Sequence, residues 1–87
     1  MSQQLHPPIV HLNGTSADSL MDDYREVYRR LVSALDALAR TTPHGRDYYL
    51  EPGRWEKAMA EHENRREFLV AVRDEIAQLA LAVDAQR

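Results

Sequence analysis

The side chains best suited to chemistry crowd between Arg40 and Arg66. Gly45-Arg46-Asp47-Tyr48-Tyr49 is the densest run of them, with His44 just before it and Arg54 and Trp55 just after. An arginine guanidinium forks onto a phosphate or carboxylate through two parallel hydrogen bonds. A tyrosine ring stacks on a base or a sugar and still offers its hydroxyl. Arg46, Asp47, Tyr48 and Tyr49 together therefore suit a planar, anionic ligand. Without a ligand the same run is a structural loop, with Asp47 paired to Arg46 or Arg65 and the tyrosines packed over Trp55. Both readings stay open at this level.

A second group lies on the flank that follows. His62 and Arg65 fall on what should be the apolar seam of a helix, next to Arg66. A buried guanidinium needs a partner because losing water is costly, and Asp47, Glu61 or a ligand phosphate would serve. Alternatively, Arg65 reaches out to water along its alkyl stem and His62 caps the loop through a hydrogen bond. A third group is His11-Leu12-Asn13-Gly14-Thr15-Ser16, ahead of a helix start. Free N–H groups there favour anions, and Thr15 and Ser16 add hydroxyls. Ordinary helix capping explains the same residues with no ligand at all and is the preferred reading.

Nothing in the chain spells out a reaction. It has no glycine-rich phosphate loop and no His-Glu-x-x-His pair. Ser16, Ser19 and Ser33 stand at a cap or inside a helix, without an elbow or a base. Glu61-His62-Glu63 points three ligands in three directions, so no metal site is expected. No cofactor is expected either, and the chain reads as a binding protein, not an enzyme.

Two long elements must position these groups. Pro7-Pro8 excludes helix, so residues 1–14 read as an extended N-terminal segment with Ile9, Val10 and Leu12 as its apolar part. Asn13-Gly14 signals a turn. A first helix is predicted over 16–40, with Thr15 or Ser16 as its cap and Asp18 near its positive end. Its apolar stripe is Leu20, Tyr24, Val27, Leu31, Ala34 and Leu38 in alternating steps of four and three. Pro43 and Gly45 stop it, and 41–53 form a loop that ends in the breaker Pro52-Gly53. A second helix is predicted over 54–85, with Pro52 at its first turn. Its stripe runs Trp55, Ala58, His62, Arg65, Leu69, Val72, Ile76, Leu79 and Val83. The fold class is all-α: a single antiparallel helical-hairpin domain over 1–87.

Lengths and composition extend the argument. At about 1.5 Å per residue the helices span about 37 and about 48 Å, so the second overhangs the first. Ile9, Val10 and Leu12 are expected to fold back over that overhang. Residues 76–83 are apolar nearly all round, a pattern that calls for burial on every side. A chain of 87 residues with no cysteine has no disulfide or thiolate metal site to stabilise it. Small scaffolds without such staples tend to self-associate, so a homo-oligomer is expected, with the last third of the second helix in its interface. The net charge of -3 argues against a nucleic-acid polymer as partner. No apolar run reaches the ~20 residues of a membrane span, and the N-terminus lacks the build of a signal peptide.

On the residues His11-Leu12-Asn13-Gly14-Thr15-Ser16, Pro43-His44-Gly45-Arg46-Asp47-Tyr48-Tyr49 and Ala60-Glu61-His62 with Arg65 or Arg66, the chain resembles a group of small phage and prophage helical-hairpin proteins. Its architecture is also similar to that of phage anti-defence sponges, small helical assemblies that sequester cyclic-nucleotide immune messengers between subunits. This second likeness is one of fold alone and transfers no residues. Together the resemblances imply a non-catalytic protein in the cytoplasm of an infected or lysogenic host. It would hold a nucleotide-like ligand at subunit interfaces through Asn13, Thr15, Arg46, Asp47, Tyr48, Tyr49, His62, Arg65 and Arg66. The alternative is a structural or adaptor protein that engages a host or phage protein.

Overall fold

A computed structural model describes residues 4–87; the first three residues of the expected N-terminal segment lie outside it. Two helices, α1 (Ala17–Ala39) and α2 (Arg54–Asp84), run antiparallel, and the described residues contain no strand. Ser16 caps α1, its side chain accepting the Ser19 N–H at 3.1 Å. At the other end the Thr41 and Thr42 hydroxyls donate to the carbonyls of Leu38 and Ala39, at 2.8 and 2.6 Å. These bonds satisfy acceptors that a helix end leaves without an intrahelical partner. Pro52 stays outside α2, contrary to the expectation of a first-turn proline. Gly53 makes the break instead, at φ 81, a left-handed conformation that side chains with a Cβ resist.

The two helices meet along one line, and that line is displaced from the predicted stripes. Tyr24, Leu31 and Leu38 belong to it as expected, but Met21 and Leu35 turn inward while Val27 and Ala34 are exposed. On α2 the row His62, Leu69, Ile76, Val83 holds, whereas Arg65 and Val72 face water and Arg73 and Ala80 are half-buried. The physical reason is that α1 carries two overlapping four-three stripes. Met21, Tyr24 and Tyr28 border one shallow groove with Ile76, Ala77 and Ala80.

The core is correspondingly thin. Among the described residues only Met21, His62 and Val83 are buried. The molecule measures 62 × 24 × 16 Å with a radius of gyration of 18.3 Å, where a compact domain of this length would have about 12 Å. It is a rod one layer thick, and no described helix is long and apolar enough to cross a membrane.

The N-terminal segment does return to the end of α2, though by another route than expected. Gln86 grips it like a fork: its Oε1 accepts the Val10 N–H and its Nε2 donates to the Pro8 carbonyl, both at 2.8 Å. In an extended chain alternate side chains face opposite ways, so Pro8 and Val10 are half-buried while Ile9 points to water. Leu12 lies in the turn and is 98% exposed. A Cβ on Gly14 would come within 2.6 Å of the exposed His11 ring, which would have to swing aside. Arg87 then joins the helix ends, bonding Asp84 at 3.0 Å and Asp18 of α1.

The fork yields a direct expectation. Gln86→Ala should release the segment and raise hydrogen exchange at the Val10 amide to the rate of an open chain. The cost in unfolding free energy should be about 1–2 kcal/mol for two lost hydrogen bonds, with the helical dichroism of the folded state unchanged.

Candidate functional site

The loop end is built on two side chains from α2 that hold the chain leaving α1. The buried His62 places its Nε2 3.2 Å from the Thr42 hydroxyl. Thr42 already gives its own proton to the Ala39 carbonyl, so it accepts from His62, and the imidazole hydrogen sits on Nε2. Two turns earlier in α2, the Trp55 indole N–H donates to the Pro43 carbonyl at 3.1 Å. Thr42 and Pro43 are thereby fixed at two successive points. His62 accordingly serves as the cap of the loop.

From this anchored start the loop runs through tight turns. His44 Nδ1 accepts the Arg46 N–H at 3.2 Å and caps a single 3₁₀ turn, Gly45–Asp47. Further backbone bonds link Tyr48 to Gly45, Glu51 to Tyr48 and Arg54 to Glu51. Sequential hydrogen bonding of this kind keeps the loop compact with little core beneath it. It also presents Arg46, Asp47, Tyr49 and Leu50 to solvent. Tyr49 is 76% exposed, so it does not pack over Trp55 as a purely structural loop would require. Neither Arg65 nor Arg46 forms an ion pair with Asp47 among the described residues. Tyr48 is half-buried and lines a shallow cleft with Glu51, Arg54, Lys57 and Glu61.

The remaining sequence candidates separate. Arg65 leaves the seam: its side chain is 61% exposed and its nearest carboxylate is Glu61 at 4.0 Å. Solvation explains this, because a guanidinium on a two-helix rod reaches water at little cost. Arg66 bonds Glu63 at 2.9 Å. That bond holds the Glu63 carboxyl below its usual range and raises Arg66 in return. Asn13 and Thr15 are exposed at the opposite end of the rod, the end where Arg87 meets Asp18. One chain therefore does not gather the nine candidates into a single pocket. No group of three or more potential metal ligands occurs among the described residues.

Two contributors carried weak sequence signals. Thr42 reads only as a helix terminator, and its hydroxyl role depends on His62 arriving twenty residues later. Leu50 sits fully displayed at the loop tip, flanked by Tyr49, and an apolar residue beside two tyrosines could have been noticed. No known family, curated protein or solved structure matches the chain.

The clamp predicts a stability pattern. Thr42→Val removes the acceptor and strands the buried His62 N–H, so chemical denaturation should show a loss of about 1–3 kcal/mol. Thr42→Ser keeps the hydroxyl and should lose much less. Equal losses in the two variants would show that the methyl group, not the hydrogen bond, stabilises the loop.

Proposed function

We propose that this chain is a non-catalytic protein that self-associates and sequesters a nucleotide-like ligand between subunits. The observation that carries this reading is the excess surface. The chain exposes 6948 Å², whereas a globular monomer of 10.0 kDa exposes about 5,200 Å². The surplus of about 1,700 Å² exceeds the ~800 Å² that one partner buries in a standard interface, and Phe68 and Leu81 stand 76% and 68% exposed on α2.

The loop supplies the recognition chemistry. Arg40 and Arg46 have no carboxylate partner among the described residues, and Tyr49 stands free for stacking. Tyr48 borders the cleft that holds Arg54 and Lys57. Asn13 and Thr15 lie a rod length away, so they join the same site only from a neighbouring copy lying end for end. Binding, not turnover, is inferred because the flank is already engaged: Arg54 with Glu51, Arg66 with Glu63 and His62 with Thr42. The setting in an infected or lysogenic cell, and the anti-defence role, belong to this proposal through the resemblance to phage proteins. A second reading, a protein adaptor, draws support from Leu50 and Tyr49, which together make an apolar loop tip suited to a protein surface.

Calorimetry against cyclic nucleotides and ADP-ribose derivatives tests the choice. Saturable binding is expected, with Arg46→Ala weakening it at least about tenfold, or about 1.4 kcal/mol. The ligand should be recovered chemically unchanged after denaturation. Silence across the panel, with capture of a protein partner that Tyr48→Ala/Tyr49→Ala abolishes, would establish the adaptor instead.

A further inference from the structure

Two charged side chains of α2 meet in the cleft beside Tyr48 without a close partner. The cleft has a volume of about 410 Å³, within the range of small-ligand sites. Lys57 and Glu61 stand four residues apart, so they project from one face of the helix. Glu61 approaches only Arg65, and 4.0 Å is too long for a hydrogen bond. Lys57 forms no ion pair among the described residues. The other two charges of the cleft offset each other, because Arg54 bonds both carboxylate oxygens of Glu51, at 3.1 and 3.2 Å. The cleft therefore offers a ligand one free carboxylate, one free ammonium and the half-buried Tyr48.

We propose that this cleft selects guanine among the nucleotide bases: Glu61 receives the Watson–Crick edge, Tyr48 stacks on the ring and Lys57 meets the phosphate. The inference rests on the nucleotide-binding reading above and deepens it by naming the base. An ionised carboxylate only accepts hydrogen bonds, so it suits a base edge with adjacent donors. Guanine presents two, its ring N–H and its exocyclic amino group, side by side for the two oxygens of one carboxylate. Adenine and cytosine set an acceptor nitrogen beside the amino group, and uracil flanks its one N–H with carbonyls. Each of these turns a lone pair toward Glu61 with no second donor to offset it. The Lys57 ammonium is a point charge on a flexible stem, so it follows the phosphate and leaves the choice of base to Glu61. A small zwitterionic amino acid would satisfy both charges but give Tyr48 no flat surface to stack on.

Calorimetry of the whole chain against the cyclic monophosphates of guanosine, inosine, adenosine and uridine tests the assignment. The guanosine form should bind at least about tenfold more tightly than the adenosine form, the scale of one bidentate base contact. The inosine form, which lacks the exocyclic amino group, should fall between them. The Glu61 side chain is 67% exposed, so Glu61→Gln should leave the helical dichroism unchanged. It should remove the preference, since an amide donates as well as accepts. Lys57→Ala should weaken all four forms by a similar factor and keep their order. Equal binding of the guanosine and adenosine forms, or a preference that survives Glu61→Gln, would overturn the guanine assignment and leave nucleotide binding standing. Inosine binding as tightly as guanosine would overturn the two-donor contact. Silence toward all four would also overturn the assignment, whether or not an ADP-ribose derivative binds.

Discussion

Two helices packed along a single line have almost no interior, and this thinness governs the rest of the molecule. A side chain on the contact line meets the partner helix on one side only, so water remains within one side-chain length of nearly every residue. Met21 and Val83 are the only apolar side chains buried among the described residues. Hydrophobic burial in one chain is therefore small, and the fold relies on local devices that need no core. Ser16 caps α1, Gly53 breaks the chain ahead of α2, and ion pairs such as Glu26–Arg30 at 2.7 Å decorate exposed turns. Exposed pairs of that kind add little each. The polar ties that cross from one element to another matter more: Gln86 to the N-terminal segment, and His62 and Trp55 to the loop.

Those cross-ties sit at opposite ends and share a logic. In each, a side chain from α2 or from the residues just after it reaches main-chain or hydroxyl groups of a segment that lacks a regular hydrogen-bond ladder. Such segments must find partners for their backbone groups or leave them to water. The ties let irregular chain adopt one conformation without a hydrophobic layer under it. At the loop end the result is a platform that holds Arg46, Tyr49 and Leu50 outward, at the cost of a buried histidine in the seam. A polar seam residue weakens the helix pair but fixes its register, because His62 finds its acceptor only opposite Thr42.

Much of the architecture was legible in the residues. The two breakers, Pro43 with Gly45 and Pro52-Gly53, mark the hairpin, and the four-three spacing marks the helices. What the pattern could not settle was which of two adjacent stripes on α1 would face inward, since Val27-Ala34 and Met21-Leu35 are comparably apolar. The choice depends on the facing surface of α2, far along the chain, and no local rule reaches that distance. Arg65 was misplaced for the same reason: a position one step off the seam looks internal until the rotation of the helix is known. The loop candidates were legible as chemistry but not as geometry. Their types declared Arg46, Tyr48 and Tyr49, while the hydrogen bond that makes His62 a support depends on the hydroxyl of Thr42.

Trp55 is the single tryptophan of the chain, and its indole N–H is the one that secures Pro43. Indole emission is sensitive to hydrogen bonding and to nearby water, so the protein contains a built-in optical reporter placed at the root of its most chemically promising segment. Backbone dichroism follows the long helices independently. Loosening of the loop and melting of the rod can thus be observed as separate events in one unlabelled sample.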